Sequence, residues 1–158
     1  MQEELIVFCD GGARGNPGPG AAGCVIKDEA GNPRFLCGKY LGVVTNNQAE
    51  YAAVKLALET AKKHFRTVRA IKFFLDSKLV VNQLAGFYKV KNPLLREVIF
   101  QIRQLESCFG EVYYQHVSRE ENSEADTLVN RVLDEERDFQ QELTQKTKNG
   151  NCLRRKKI

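Results

Sequence analysis

Four acidic residues stand out by where they fall in the 158-residue chain: Asp10, Glu50, Asp76 and Asp126. Asp10 closes a continuous apolar run, Leu5 to Cys9, and Asp76 closes a second β-type run over residues 68–75. An acid at the end of an apolar strand faces burial unless something satisfies it. Ligands of open α/β sheets gather at strand ends, so neighbouring first and fourth strands would set Asp10 beside Asp76. Like charges that close raise one another's pKa unless a cation neutralises them. A cluster built of carboxylates, with no CxxC or paired histidines, points to a hard ion, Mg²⁺ or Mn²⁺, rather than zinc. Each acid also has an ordinary reading. Asp76 before Ser77 suits a helix cap, and Glu50 and Asp126 suit the positive ends of helices.

The elements that must position these residues follow from periodicity. Residues 4–9 read as a strand in the middle of a sheet. A glycine-rich turn leads to two more strands, about 21–27 and 34–41, joined through Asp28 to Pro33, so the first three strands form an antiparallel meander. From Thr45 the period becomes helical. Ala49, Ala52, Ala53, Leu56 and Ala57 share a face, and Thr45 with Gln48 makes a capping box for a helix over 46–63. A fourth strand over 68–75 meets a short helix carrying Leu79, Val80 and Leu84. Asn92-Pro93 opens another helix that ends near Phe109-Gly110, and Val112 to His116 is the fifth strand. Ser118 with Glu121 is a second capping box, expected to open a last helix that carries Asp126 in its early turns. The order β-β-β-α-β-α-α-β-α predicts an α/β fold with a five-stranded mixed sheet, antiparallel first and parallel later, and helices on both faces. One domain is expected over residues 1–136, and a basic, flexible tail over 137–158.

Bulk properties narrow the class. With 42% hydrophobic and 28% charged residues the chain is of ordinary globular composition, and it contains no apolar run long enough for a membrane span. The acidic start Met1-Gln2-Glu3-Glu4 is unlike a secretory leader, which gives a cytoplasmic expectation. Five scattered cysteines (Cys9, Cys24, Cys37, Cys108, Cys152) suggest neither a disulfide framework nor a zinc site, and the first four read as small core residues. A reactive Cys9 thiolate is disfavoured by the neighbouring Asp10. The net charge is +4, and the excess lies in the tail that ends Arg154-Arg155-Lys156-Lys157. That tail is either a solvated end or a phosphate-attracting arm.

The surroundings of the four acids are more specific than the acids alone. Asp10-Gly11-Gly12-Ala13-Arg14-Gly15-Asn16-Pro17-Gly18-Pro19-Gly20 is followed by Thr45-Asn46-Asn47-Gln48-Ala49-Glu50 and by Asp76-Ser77. Last comes His116-Val117-Ser118-Arg119-Glu120-Glu121-Asn122-Ser123-Glu124-Ala125-Asp126. In order and spacing these segments resemble type 1 ribonuclease H, over residues 5 to about 133. The resemblance implies hydrolysis of the RNA strand of RNA/DNA hybrids with two metal ions, leaving 5′-phosphate and 3′-hydroxyl ends. It assigns Asp10 to both ions, Asp126 to the one that activates water, and Glu50 and Asp76 to the one at the leaving 3′ oxygen.

Other motif residues suit a nucleic-acid partner. Gly11 and Gly12 let backbone approach a ligand closely, though a tight strand connection would use the same glycines. Asn16, Asn46 and Asn47 offer amides to sugar hydroxyls and base edges of a wide minor groove, and Thr45 could seat a phosphate at a helix start. Three departures mark this chain. Gly86 to Asn92 is short where many members insert a basic protrusion, as in compact archaeal-type members. Lys78 stands where Gln is common. His116 matches by count the histidine thought to assist product release, but it falls on a strand, which makes Arg119 the preferred loop substitute. A monomer is expected. Two other functions stay open: a catalytically silent nucleic-acid-binding domain on the same fold, and a related nuclease that cuts double-stranded RNA.

Overall fold

The computed structural model describes residues 3–143, together with the backbone of 145–146 and 152–153. Three long strands, β1 (Glu3–Ala13), β2 (Gly18–Asp28) and β3 (Pro33–Val44), form the expected antiparallel meander. They are followed by α1 (Asn46–His64), β4 (Val68–Leu75), α2 (Lys78–Leu84), α3 (Pro93–Glu106), β5 (Glu111–His116), α4 (Ser123–Glu135) and β6 (Phe139–Glu142). Two short strands, β7 (Gln145–Lys146) and β8 (Cys152–Leu153), pair with each other. The sheet order is β5-β4-β1-β2-β3-β6, with β1, β4 and β5 parallel. The fold is α/β with a mixed sheet, antiparallel first and parallel later, as expected, but its sheet has six strands rather than five. The sixth is β6, which pairs antiparallel with β3 from Phe35↔Glu142 to Gly38↔Phe139. Phe139–Glu142, within the stretch assigned by sequence to the tail, therefore continue the sheet, while Arg154 to Lys157 lie outside the described residues.

The alternation of side chains along the strands sorts the helices onto two faces. Leu5, Val7 and Cys9 of β1 join Ala22, Cys24 and Ile26 of β2 in one buried cluster with Tyr51, Val54, Ala57 and Leu58 of α1. Val80 and Leu84 of α2 and Ile102 of α3 complete it, and each such buried side chain contributes roughly 1.5–3 kcal/mol. On the other face Ala21 packs with Val129, Val132 and Leu133 of α4. Helix α4 comes close because β2 offers Gly23 beneath it: a Cβ there would stand 3.0 Å from the Ala125 carbonyl oxygen. Cys9, Cys24 and Cys37 are buried as expected, whereas Cys108 is exposed in the turn after α3, where no strand or helix covers it.

The helix starts explain themselves locally. Thr45 and Gln48 make the expected reciprocal capping box on α1, Ser77 caps α2 through the Val80 amide, and Asn92 accepts from both Leu94 and Leu95 at the start of α3. Thus Ser77 and not Asp76 is the cap, which leaves the Asp76 carboxylate free for other work. Ser118 and Glu121 do bond to one another, but they close the turn before α4; the helix itself begins at Ser123 behind Asn122. Among the described residues no helix is long and apolar enough to cross a membrane.

Candidate metal centre

The parallel ladder between β1 and β4 ends at Phe8↔Phe74, while β1 runs on against β2 alone, through Asp10↔Gly23 to Ala13↔Gly20. Beyond that point β4 turns away at Asp76, and a crevice opens between the two strand ends. Asp10 and Asp76 flank it. Glu50 reaches it from α1 because the start of that helix lies hard against β1 at Gly11. A Cβ on Gly11 would stand 2.1 Å from the Ala49 carbonyl oxygen, so only a glycine admits the helix there. The missing side chain of Gly11 therefore makes room for α1, a role the sequence reading did not distinguish from approach to a ligand.

One carboxylate oxygen from each of Asp10, Glu50 and Asp76 lies within 4.8 Å of the others. Asp126, on the first turns of α4, lines the same cavity of about 480 Å³, close enough to help raise the Asp10 carboxyl. Its carboxylate is steadied by the Asn130 amide, one helical turn on, at 3.5 Å. The electrostatic consequence falls on the buried members. Desolvation, then Asp76, Asp126 and Glu50, push the Asp10 carboxyl up to about 8. Burial pushes Glu50 up to about 7, with Asp76 adding to the rise and the Ser77 hydroxyl and the Arg119 charge opposing it. A set of oxygen donors that holds its own protons for want of positive charge fits a hard divalent cation.

The structure also places the remaining candidates. Arg119 lines the cavity with the acids, while His116 ends β5 opposite Leu75, exposed and away from the lining. Gly12 and Asn46 line the cavity too. Asn16 accepts the Asn46 backbone amide at 3.0 Å, and Asn46 accepts the Ala13 amide at 2.9 Å. Their carbonyl oxygens thus fasten the glycine loop to the start of α1, and their NH₂ groups remain as donors. Asn47 is half-buried on the first turn of α1. The Thr45 hydroxyl accepts from Gln48, which leaves its proton to give. Lys78 is exposed at the first position of α2, two residues past Asp76.

Sequence reasoning missed Arg14, which lines the cavity from the glycine loop and pairs with Asp134 of α4 at 2.7 Å. It also missed Asn130, although the four-residue spacing from Asp126 is a readable helical signal.

Comparison with known proteins adds an independent finding. A family described as reverse transcriptase-like matches residues 8–132. The chain is 38% identical to the bifunctional protein Rv2228c of Mycobacterium tuberculosis over 132 residues, which are 83% of this chain and 36% of that protein. It is 32% identical to a ribonuclease H of Acidithiobacillus ferrooxidans, over 85% of this chain and 91% of that enzyme. The crystal structure of LC11-RNase H1 in complex with RNA/DNA hybrid superposes with a TM-score of 0.79 at 39% identity, covering 84% of this chain and 98% of that one. The chain spans about a third of the length of the mycobacterial relative.

Proposed function

The chain belongs to the ribonuclease H family, and from that membership we propose that it hydrolyses the RNA strand of RNA/DNA hybrids, leaving 5′-phosphate and 3′-hydroxyl ends. The observation that carries this reading is the convergence of Asp10, Glu50 and Asp76 within 4.8 Å, with Asp126 lining the same cavity. These carboxylates would hold two Mg²⁺ ions, or Mn²⁺ in their place. When bound, the ions supply an activated water and charge stabilisation for the leaving oxygen. In this reading Asp10 would contribute to holding both ions, Asp126 to the one that activates water, and Glu50 and Asp76 to the one at the leaving oxygen.

The rest of the site serves to hold and orient the duplex. The NH₂ groups of Asn16 and Asn46, with Asn47, face acceptors of a wide minor groove, where the 2′-hydroxyl distinguishes RNA from DNA. Gly12 keeps the floor of the cleft open to a backbone. The Thr45 hydroxyl at the start of α1 and Lys78 at the start of α2 are positioned for phosphates of the second strand. Arg119, beside Glu50, draws the cleaved phosphate away.

Asp10→Asn keeps the shape of the residue and removes its charge. We expect it to lower Mg²⁺-dependent cleavage of a hybrid by about a thousandfold or more with the fold intact. Full activity in that variant would sink the assignment. Matched hybrid, duplex RNA and duplex DNA substrates measure the strand preference, and a preference for duplex DNA overturns the substrate proposed. Arg119→Ala should slow turnover roughly 10- to 100-fold while metal uptake is unchanged; greater damage from His116→Ala would reverse the assignment of that role.

A further inference from the structure

Asn122 is fully buried, yet it is polar and lies in a loop. Its position coincides with the place where the sheet comes apart. Past the last β1–β4 pair, Phe8↔Phe74, the next carbonyl of β1 belongs to Cys9, and the side-chain amide of Asn122 donates to it at 2.7 Å. A side chain thus takes the place of a strand at the residue that precedes Asp10. Without that donor a buried carbonyl would be left bare.

The main chain of the same residue reaches two other members of the site. The Asn122 amide donates to the Arg119 carbonyl at 3.1 Å, which closes the turn that presents Arg119. The Asn122 carbonyl accepts the Asp126 amide at 3.1 Å, which starts the helix that presents Asp126. One residue therefore joins the strand that carries Asp10, the helix that carries Asp126 and the turn that carries Arg119, through contacts spanning 113 positions of chain.

The other half of the amide carries the second observation. Asn122 Oδ1 is buried and has no hydrogen-bond partner among the described residues. A buried acceptor left unsatisfied costs stability, so packing alone would favour an apolar side chain of the same volume. The residue also makes no side-chain cap for α4, the ordinary reason for an Asn at that place.

We propose that Asn122 is a positioning residue: it clamps the start of α4 and the Arg119 turn to the end of β1, and so sets the span between the Asp10 and Asp126 carboxylates that would hold the metal ions. The proposal rests on the metal-dependent reading of the site. Support of ligands from behind is worth roughly 10- to 100-fold in metal affinity or activity, and Asn122 acts at that level without touching the substrate.

The test compares Asn122→Leu, which keeps the branched outline, somewhat enlarged, and removes the donor, with Asn122→Ser, a smaller residue read the same way should the leucine variant fail to fold. Thr60→Val is the control, because it removes another buried polar side chain, one that bonds Leu56 within α1 far from the crevice. Two quantities are read: Mn²⁺ binding to the protein alone, followed by electron paramagnetic resonance, and the kinetics of hybrid cleavage. We expect the Asn122 variants to bind Mn²⁺ about tenfold more weakly and to lose kcat by roughly 10- to 100-fold with KM little changed. Thr60→Val should move thermal stability alone. A folded Asn122 variant whose Mn²⁺ isotherm and kcat match the wild type overturns the proposal and leaves the nuclease reading standing. Absence of hybrid cleavage by the wild type, with the Mn²⁺ difference retained, overturns the nuclease reading and leaves the clamp standing.

Discussion

The two ends of β1 are shut away from water to nearly the same degree and for opposite purposes. Leu5 is 1% exposed and Val7 fully buried, each with a strand on both sides and α1 above, so their burial is a direct gain. Asp10, a few residues on, is 9% exposed, has lost β4 as a neighbour and faces three other acids. Burial there works against the charge it encloses. The first end of the strand holds the second in place, and the second keeps a charge deficit for cations to fill. Stability and chemistry are therefore separable along a single strand.

The separation is most easily broken from the stable end. Leu5→Ala should cost about 2–5 kcal/mol of unfolding free energy, measured by denaturant titration, because the closed core cannot collapse around the void. Metal uptake by the folded fraction should survive it; loss of uptake in step with stability would show that the two ends are not independent. The next effect comes at the join. Gly11→Ala places a methyl group against the Ala49 carbonyl, and α1 must move to admit it. We expect about 1–3 kcal/mol of destabilisation, together with a loss of activity larger than that stability change explains, since Glu50 travels with the helix. An active Gly11→Ala variant with unchanged metal affinity would mean that the position of α1 is not what delivers Glu50.

How far the sequence reveals this arrangement differs from residue to residue. Asp10 and Asp76 are legible because each interrupts an apolar run, and burying a charge demands a reason. Glu50 and Asp126 are weak alone and become legible only inside the Thr45 to Glu50 and His116 to Asp126 segments. Strand β6 is not legible: Phe139-Gln140-Gln141-Glu142 has one large apolar residue and no alternation, and it exists because β3 offers an open edge. Phe139 then packs beside Val132 and Gly38, and the Asp138 carboxylate accepts the Tyr40 amide at 2.7 Å, none of which is local in sequence. Asn122 is hidden for a like reason, since an Asn within an acidic, polar stretch reads as loop until the carbonyl it satisfies, 113 residues away, is in view. The Ser118–Glu121 pair forms as read but serves a turn, because the same local bonds suit either outcome.

The smallest effect sharpens the comparison most, because it has the opposite sign from Leu5→Ala. The Asp10 carboxyl titrates at about 8 in the folded protein against an ordinary 3.8, and Glu50 at about 7 against 4.5. A carboxyl raised by folding holds its proton in the native state when the unfolded chain has already released it. Its contribution to stability is complete below about pH 4 and is lost as pH rises through about 8. In the presence of a chelator, wild-type stability should therefore fall relative to Asp10→Asn across that window. By pH 8 the variant should be the more stable by at least about 1 kcal/mol, read as the difference between their thermal midpoints. Mg²⁺ at pH 8 should raise the wild type and leave the variant little changed, with release of on the order of one proton per protein, measurable by calorimetry in buffers of different ionisation enthalpy. Parallel stability curves for the two proteins from pH 4 to 8 would mean that Asp10 is already ionised before any cation arrives, and that the far end of β1 carries no charge deficit.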